Sequence, residues 1–454
     1  MMPLAFPMRE GRMLFNGQIG GRNCAMLFED VSALTPQGLL EHCYVGTRGE
    51  RIAYVSAQRP QEDYGERING AHRLLLPAFY NCHSHTAMTL MRGYGENMKL
   101  QDWLNTRIFP FEGKMGAEAI YWGVCLGVAE MFRFGIVGTT DMYFYLDEAA
   151  RAFGESGAKA NLSNGAVMFG GDDFEAMRST QETRRALEHL DGAYDGRILV
   201  DFSLHAEYTS NERLVRRLVE EAAAYGGKRM HVHVSETKLE HEECKQRHGG
   251  RTPARYLCDC GLFELPTTAA HCVYAEPEDL DIFREKGVTV AHCAVSNLKL
   301  ASGVLDVPRA WRHGVRVGLG TDGVASNNKL NMLEEMRIFA LVQRCYANDP
   351  TAITPEEAVR CATRVGALSQ GREDCGEIRE GFRADLVLFD MDTPWCTPQH
   401  DLLANLLWSA SGSDVMLTMA DGRVVYREGD WPTLDVGRAR YEAERIKKNI
   451  LAQL

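Results

Sequence analysis

No stretch of about 18 consecutive apolar residues occurs anywhere in the sequence, which excludes a membrane-spanning helix. Basic runs are absent too: 50 Lys and Arg stand against 62 Asp and Glu, a formal net charge of −12. An acidic surface repels phosphate backbones, so nucleic acid is not an expected partner. The opening stretch, MMPLAFPMREGRM, is too short in its apolar part and too broken by proline for a signal peptide. The 13 cysteines are odd in number and lack the spacing of a disulfide framework, so they read as reduced thiols of a cytoplasmic protein. No short-period repeat and no low-complexity segment interrupts the chain.

The sequence is 454 residues long and 45% hydrophobic, which supplies a large core. From Leu74 onward, eight apolar and β-branched runs recur: LLLPAFYNCHSH, GIVGTTDMYF, KANLSNGAVMF, RILVDFSLHAEYT, RMHVHVSET, TTAAHCVYA, VTVAHCAVSN and VRVGLGTDG. Helix-like segments separate them. Ile120, Val124 and Val128 keep helical spacing up to Gly135, and SNERLVRRLVEEAAAYGG also ends on glycines. Eight strand–helix units over about 300 residues predict an α/β fold, a (β/α)₈ barrel, whose strands are near-continuous apolar runs because both faces are covered.

The two ends differ. HCYVGTRGERIAYVSAQ near the start, with FRADLVLFDMD and SDVMLTMADGRVVYREGDW near the end, carry antiparallel hairpin signals, including the turn dipeptide Asp421-Gly422. The expected organisation is a small β-sandwich built from residues 1–73 and 373–433, flanking a barrel over 74–372. A helix follows over 434–454, with Ile446, Ile450 and Leu454 on one stripe.

His83 and His85 stand two apart on a predicted strand and point to the same face. At the C-terminal end of a barrel strand that face is the usual place for an active site. Cys82 falls on the opposite face and is not counted as a ligand. Other strand ends bring His231 and His233, then Glu236, His271 and Asp322. Ionisable groups gathered at one end of a barrel are not packing residues, since Asp and Glu are seldom buried unpaired. Imidazoles plus a carboxylate suit zinc or a similar divalent ion with a position left open for water. His231 and His233 share a face and either can be a ligand; His233, nearer the mouth and three residues before Glu236, is preferred. His205 is read as a substrate contact, and His292 as either a site residue or a structural one. His42, His72, His189, His241, His248, His313 and His400 are read as solvated, and the CDC at Cys258–Cys260 as structural.

With these residues in place, the chain resembles the amidohydrolase superfamily, in the branch of methylthioadenosine/S-adenosylhomocysteine deaminases and related triazine hydrolases. The resemblance rests on NCHSHTAMTLMRGYGENMKLQDWL, HVHVSET, AAHC, SNLKLASG, GTDGVASNN, GFRADLVLFD and SASGSDV, in that order. It implies one divalent metal ion, zinc first with Fe²⁺ or Mn²⁺ as alternatives, held by His83, His85, His233 and Asp322. Binuclear members carry a bridging lysine on the fourth strand, and RILVDFSLHAEYT has none. It implies that Asp322 takes a proton from the metal's water, that His271 polarises the attacking hydroxide, and that Glu236 protonates a ring nitrogen. The products are ammonia and an oxo-purine.

The acidic residue of LQDWL, here Asp102, is implied to hold a ribose diol. Asn164 stands where an arginine for the carboxylate of S-adenosylhomocysteine is expected, which favours an uncharged 5′-modified adenosine. Ser326 is a further candidate contact. A guanine, pterin or s-triazine aminohydrolase or chlorohydrolase is the competing reading on the same metal site. A small-molecule substrate and a homo-oligomer, dimer or tetramer, complete the expectations.

Overall fold

The computed structural model describes residues 25–168, 170–171 and 173–454. The opening segment read against a signal peptide lies outside them. The described strands run in chain order: β1 (Met26–Thr35), β2 (Gly38–Arg48), β3 (Arg51–Ser56), β4 (Glu66–Asn69), β5 (Arg73–Pro77), β6 (Phe79–His85), β7 (Ile136–Met142), β8 (Lys159–Ser163), β9 (Ile198–Val200), β10 (Phe202–Ala206), β11 (Met230–Val234), β12 (Thr267–His271), β13 (Thr289–His292), β14 (Arg316–Leu319), β15 (Asp322–Gly323), β16 (Leu386–Asp390), β17 (Val415–Ala420) and β18 (Arg423–Arg427). With helices between most of them, the chain is α/β.

Two five-stranded sheets hold the middle of the chain, in the orders β15-β6-β7-β8-β9 and β10-β11-β12-β13-β14, and every pairing in them is parallel. Parallel neighbours need crossovers, and helices supply them: Ala117–Arg133, Leu146–Ser156, Arg178–His189, Glu212–Ala224, Lys238–Arg247, Pro277–Glu285 and Val307–Arg312, while Met332–Ala347 follows the last parallel strand. The strands are buried along nearly their whole length, as their unbroken apolar runs require. Ile120, Val124 and Val128 face inward on the first of these helices. Gly135 turns the chain with φ +79°, a conformation a side chain would strain.

A third sheet, in the order β18-β17-β16-β5-β1-β2-β3 with β4 also on β1, draws on both flanks of the chain. Its own core includes Phe28, Val45, Leu75, Leu386, Leu388 and Leu417. The turn Asp421-Gly422 joins β17 to β18 with φ 46° and 70°, the two positive values a tight two-residue hairpin needs. The run beginning at Leu74 is divided. Leu74–Leu76 pair with β16 in this flanking sheet, and only from Phe79 does the chain enter the parallel layer. Pro77 marks the change, since a residue without an N–H cannot sustain a ladder on both sides. At the other end, the helix Val436–Leu451 buries Ile446 and Ile450, whereas Leu454 lies beyond it and is exposed, contrary to the stripe predicted for it.

One ionic cluster ties the flanking sheet to the parallel layer. Lys159, at the start of β8, is buried with its Nζ 2.6 Å from Asp385 Oδ1 and 2.9 Å from Asp421 Oδ1. Tyr80 donates to the other Asp385 oxygen. Replacing the lysine leaves the buried Asp385 carboxylate without its cation, while Asp421 keeps Arg197 and Arg383 at 3.9 and 3.5 Å, so Lys159→Met is expected to cost about 3–5 kcal/mol of stability. A denaturant midpoint within error of wild type would contradict this.

Candidate metal and catalytic centre

The cluster forms because parallel strands of both sheets bring five side chains together. His83 and His85 end β6, His233 lies in β11, His271 ends β12 and Asp322 opens β15. His271 and Asp322 adopt φ of 68° and 59°, a strained conformation for residues with a side chain, of the kind that collects at functional sites.

Hydrogen bonds behind the cluster fix each imidazole. His85 Nδ1–H donates to the Met142 carbonyl at 2.6 Å, and His233 Nδ1–H to the His205 carbonyl at 2.6 Å. His271 Nδ1–H donates to Asn297 Oδ1 at 2.9 Å. With Nδ1 protonated, each Nε2 lone pair faces the centre. His83 Nδ1 lies 2.9 Å from His231 Nε2, so His231 stands behind His83 as its orienting partner.

The inward atoms then crowd together. His83 Nε2 and His85 Nε2 lie 3.2 and 3.4 Å from Asp322 Oδ1, and His233 Nε2 lies 3.4 Å from His85 Nε2. His83 Nε2 is buried with no hydrogen-bond partner. Lone pairs and a carboxylate converging without donors repel one another unless a cation sits among them. The edge of a tetrahedron drawn by zinc–nitrogen bonds of about 2.05 Å is about 3.3 Å, the spacing seen here. The groups His83–His85–Asp322 and His83–His233–His271 each bring three ligand atoms within 4.8 Å of one another.

Burial pushes the His83 imidazole down to about 4 and His233 well below its ordinary value, which keeps both neutral, the form that binds metal. Burial would raise Asp322, but the close approach of His83 and the other imidazoles around it outweighs this and holds the carboxyl well below its usual range. Asp322 Oδ2 also accepts from Ser296 Oγ at 2.5 Å and Ser326 Oγ at 2.7 Å, which locks the carboxylate.

A cavity of about 260 Å³ opens over this centre. His85, His233, His271, Asp322 and Glu236 line it, as do His205, Asn164 and Ser326. Burial raises Glu236, the largest effect on it; Ser302 Oγ, 3.4 Å from Oε1, works the other way. Its Oε2 is 3.9 Å from His271 Nε2. Burial opposes charging of His271, but the carboxylates of Glu236 and Asp322 outweigh it and raise the imidazole.

The other predicted contacts are placed unequally. Asn164 is committed to Glu182, donating to Oε2 at 2.5 Å. Ser326 reaches the cavity while holding Asp322. Asp102 is not brought in: it is exposed on the short helix Leu100–Trp103, and the adjacent Trp103 turns to the cavity in its place. A carboxyl not anticipated for the site, Glu112, does line the cavity and accepts from Tyr143 O–H at 2.7 Å. His292 packs on Phe339 and does not line it. His241 was expected in solvent; it is buried, with Nδ1 3.1 Å from Ser235 Oγ and Nε2 3.1 Å from Glu276. It sits under the Ser235–Glu236 turn because its helix buries Glu240, His241 and Cys244 on one face.

The amidohydrolase family model matches residues 74–425, and the chain belongs to that family. It is 40% identical over 420 residues, 92% of this chain and 97% of the other, to a protein of Dictyoglomus thermophilum named 5-methylthioadenosine/S-adenosylhomocysteine deaminase. Among solved structures, an adenosine deaminase from Xanthomonas campestris with bound zinc superposes with a TM-score of 0.87 at 29% identity, covering 94% of this chain and 99% of that one. An atrazine chlorohydrolase from Arthrobacter aurescens complexed with zinc gives 0.86 at 23% identity over 93% and 100% of the two chains, a likeness of fold. No helix among the described residues is long and apolar enough to cross a membrane.

Proposed function

We propose that this protein is a metal-dependent hydrolytic deaminase of adenosine-like compounds, releasing ammonia and the inosine analogue. The observation that carries the reading is Glu236, a partly buried carboxyl raised by its desolvation, its Oε2 3.9 Å from His271 Nε2 and lining the same cavity as His85, His233 and Asp322. Those four residues would hold one divalent ion, zinc first. When bound, such an ion lowers the pKa of water so that hydroxide is available near pH 7.

The chain's own groups supply the rest. Glu236 gives its proton to a ring nitrogen of the substrate, which makes the neighbouring carbon electrophilic, and returns a proton to the leaving amine. His271, held by Asn297 at Nδ1–H and charged as the imidazolium that the neighbouring Glu236 and Asp322 favour, donates from Nε2 to the oxygen added at that carbon. Asp322, locked by two serine hydroxyls, serves as the proton acceptor. Met88, Trp103, Ile108, Phe109 and Phe144 provide an apolar wall for a flat ring.

The substrate class follows from charge. Among the described residues that line the cavity there are three carboxylates, Glu112, Glu236 and Asp322, and no lysine or arginine. Asn164, tied to Glu182, does not supply a cation. An uncharged 5′-modified adenosine therefore fits better than one bearing a carboxylate. Glu112, which lines the cavity, is the acceptor suited to a substrate hydroxyl, the role expected for Asp102. Equimolar ammonia and inosine analogue, the product carrying one heavy oxygen when the reaction runs in water enriched in that isotope, tests the reading. Amine release without that oxygen would contradict it.

The fold supports this assignment if the two parallel sheets are halves of one (β/α)₈ barrel over 74–372, with a β-sandwich made from 1–73 and 373–433. β9 and β10 are separated only by Asp201, whose N–H donates to the Leu162 carbonyl. β14 and β15 are separated only by Gly320 and Thr321, which donate to the His292 carbonyl and to Asn81 Oδ1. Both seams thus keep bonds to the neighbouring strands.

The pH dependence has a defined sign. Glu236 acts as an acid, so kcat/KM falls as pH rises through its pKa. Ser302 donates to the ionised carboxylate and lowers that pKa; removing the hydroxyl raises it. In Ser302→Ala the alkaline limb is expected to move to higher pH, and a limb that stays in place or moves down would contradict the assignment.

A further inference from the structure

We infer that Glu335, which touches neither the cavity nor the metal-ligand cluster, is a positioning residue that sets the geometry of Asp322 and His271 together by clamping the two loops that orient them. Glu335 lies in the first turn of the helix Met332–Ala347 and is completely buried. Its Oε1 accepts the Val295 N–H at 3.1 Å, and its Oε2 accepts Asn327 Nδ2–H at 3.1 Å.

These contacts lead to the two reacting groups by short covalent paths. Val295 belongs to the six-residue helix Ala294–Lys299, whose N-cap, Cys293, makes no side-chain cap. Glu335 caps that helix end from another element, satisfying an N–H that would otherwise be orphaned. The next two residues do the orienting: Ser296 Oγ donates to Asp322 Oδ2, and Asn297 Oδ1 receives the His271 Nδ1–H. On the other side, Asn327 also donates to the Thr321 carbonyl at 2.8 Å, immediately before Asp322, and Ser326 donates to Asp322 Oδ2. One carboxylate thus joins the segments before and after Asp322 to the segment that holds His271.

The clamp needs an acceptor oxygen on each arm. Its partners on the two oxygens are N–H donors, and a carboxyl group offers an acceptor to both. Burial raises the carboxyl to about 8, against the backbone N–H groups of Val295 and Ala294 and the Asn327 amide, which favour the ionised form. A glutamine keeps the size but must set its NH₂ against either Val295 N–H or Asn327 Nδ2–H, so one arm opens. Asn327→Ser opens the second arm alone and leaves Glu335 in place.

The kinetic arm of the test rests on the deaminase reading; the metal arm does not. In metal-loaded full-length Glu335→Gln, kcat per bound metal is expected to fall by about tenfold to a hundredfold, the cost of misplacing reacting groups by a fraction of an ångström to an ångström. KM should change by less than about threefold, since no substrate contact is lost. The cobalt(II)-loaded variant should show a shifted visible spectrum, because Asp322 is displaced, and Asn327→Ser should shift it in part. A purely structural role would lower Tm and leave kcat per bound metal and the cobalt spectrum as in wild type, and that result overturns the inference. If the wild type releases no ammonia, the deaminase reading fails, and a changed or unchanged cobalt spectrum still decides for or against the clamp.

Discussion

Glu236→Gln is expected to bind metal as the wild type does and to lose about 10²–10⁴-fold in kcat, the range supplied by one positioned general acid. Glutamine matches the side chain in size and still accepts from Ser302, so the cavity wall is preserved. What it cannot do is release a proton to a ring nitrogen and take one up again for the amine. The carboxyl lies outside the His83–His85–Asp322 group, with Ser302 and His271 as its near polar neighbours, so metal content should not change. Kinetics combined with metal analysis on the same preparation reads both. Turnover near wild type would remove Glu236 from the mechanism; loss of metal would make it a ligand.

Asp322→Asn is expected to reduce both quantities. Asp322 Oδ1 is the anionic corner of the cluster, 3.2 and 3.4 Å from two imidazole Nε2 atoms, and is the one negative charge available there to offset a dication. A neutral amide in its place turns either an oxygen without charge or an NH₂ toward the centre. Metal affinity should fall by more than about tenfold, measured by competition with a chelator, and activity should stay low even at saturating metal because the proton acceptor is gone. Full activity at full occupancy would contradict both roles.

Much of the site could be read before any coordinates, because the strand ends announce themselves. An apolar β-branched run that stops in His, Glu or Asp stands out in a parallel sheet, and of the eight runs KANLSNGAVMF alone lacks such a residue. The preference for His233 over His231 remains a proposal, and what no local pattern announces is that His231 Nε2 lies 2.9 Å from His83 Nδ1. What stayed hidden depends on tertiary contact. Leu74–Pro77 has the composition of a buried strand in either sheet, and nothing local says that β16, more than 300 residues later, will pair with it.

Asp102 and Glu112 lie within ten residues of each other, and which of them meets the cavity is set by the turn of a short helical stretch that periodicity does not resolve. Glu335 could have been found. It sits one place after Glu334 in a helix whose buried face is Met332, Met336, Phe339 and Gln343, and helical spacing puts Glu335 on that face and Glu334 off it. An ionisable group on an apolar stripe signals a buried network.

The most direct test is ammonia release by the zinc-loaded protein with methylthioadenosine, 5′-deoxyadenosine, adenosine, S-adenosylhomocysteine, guanine and a triazine, each with and without chelator. Chelator-sensitive release from the uncharged adenosines, with S-adenosylhomocysteine slower by about tenfold or more for want of a cationic partner in the cavity, is the predicted result. Release confined to guanine or the triazine, or release from the adenosines that survives complete removal of metal, would contradict it.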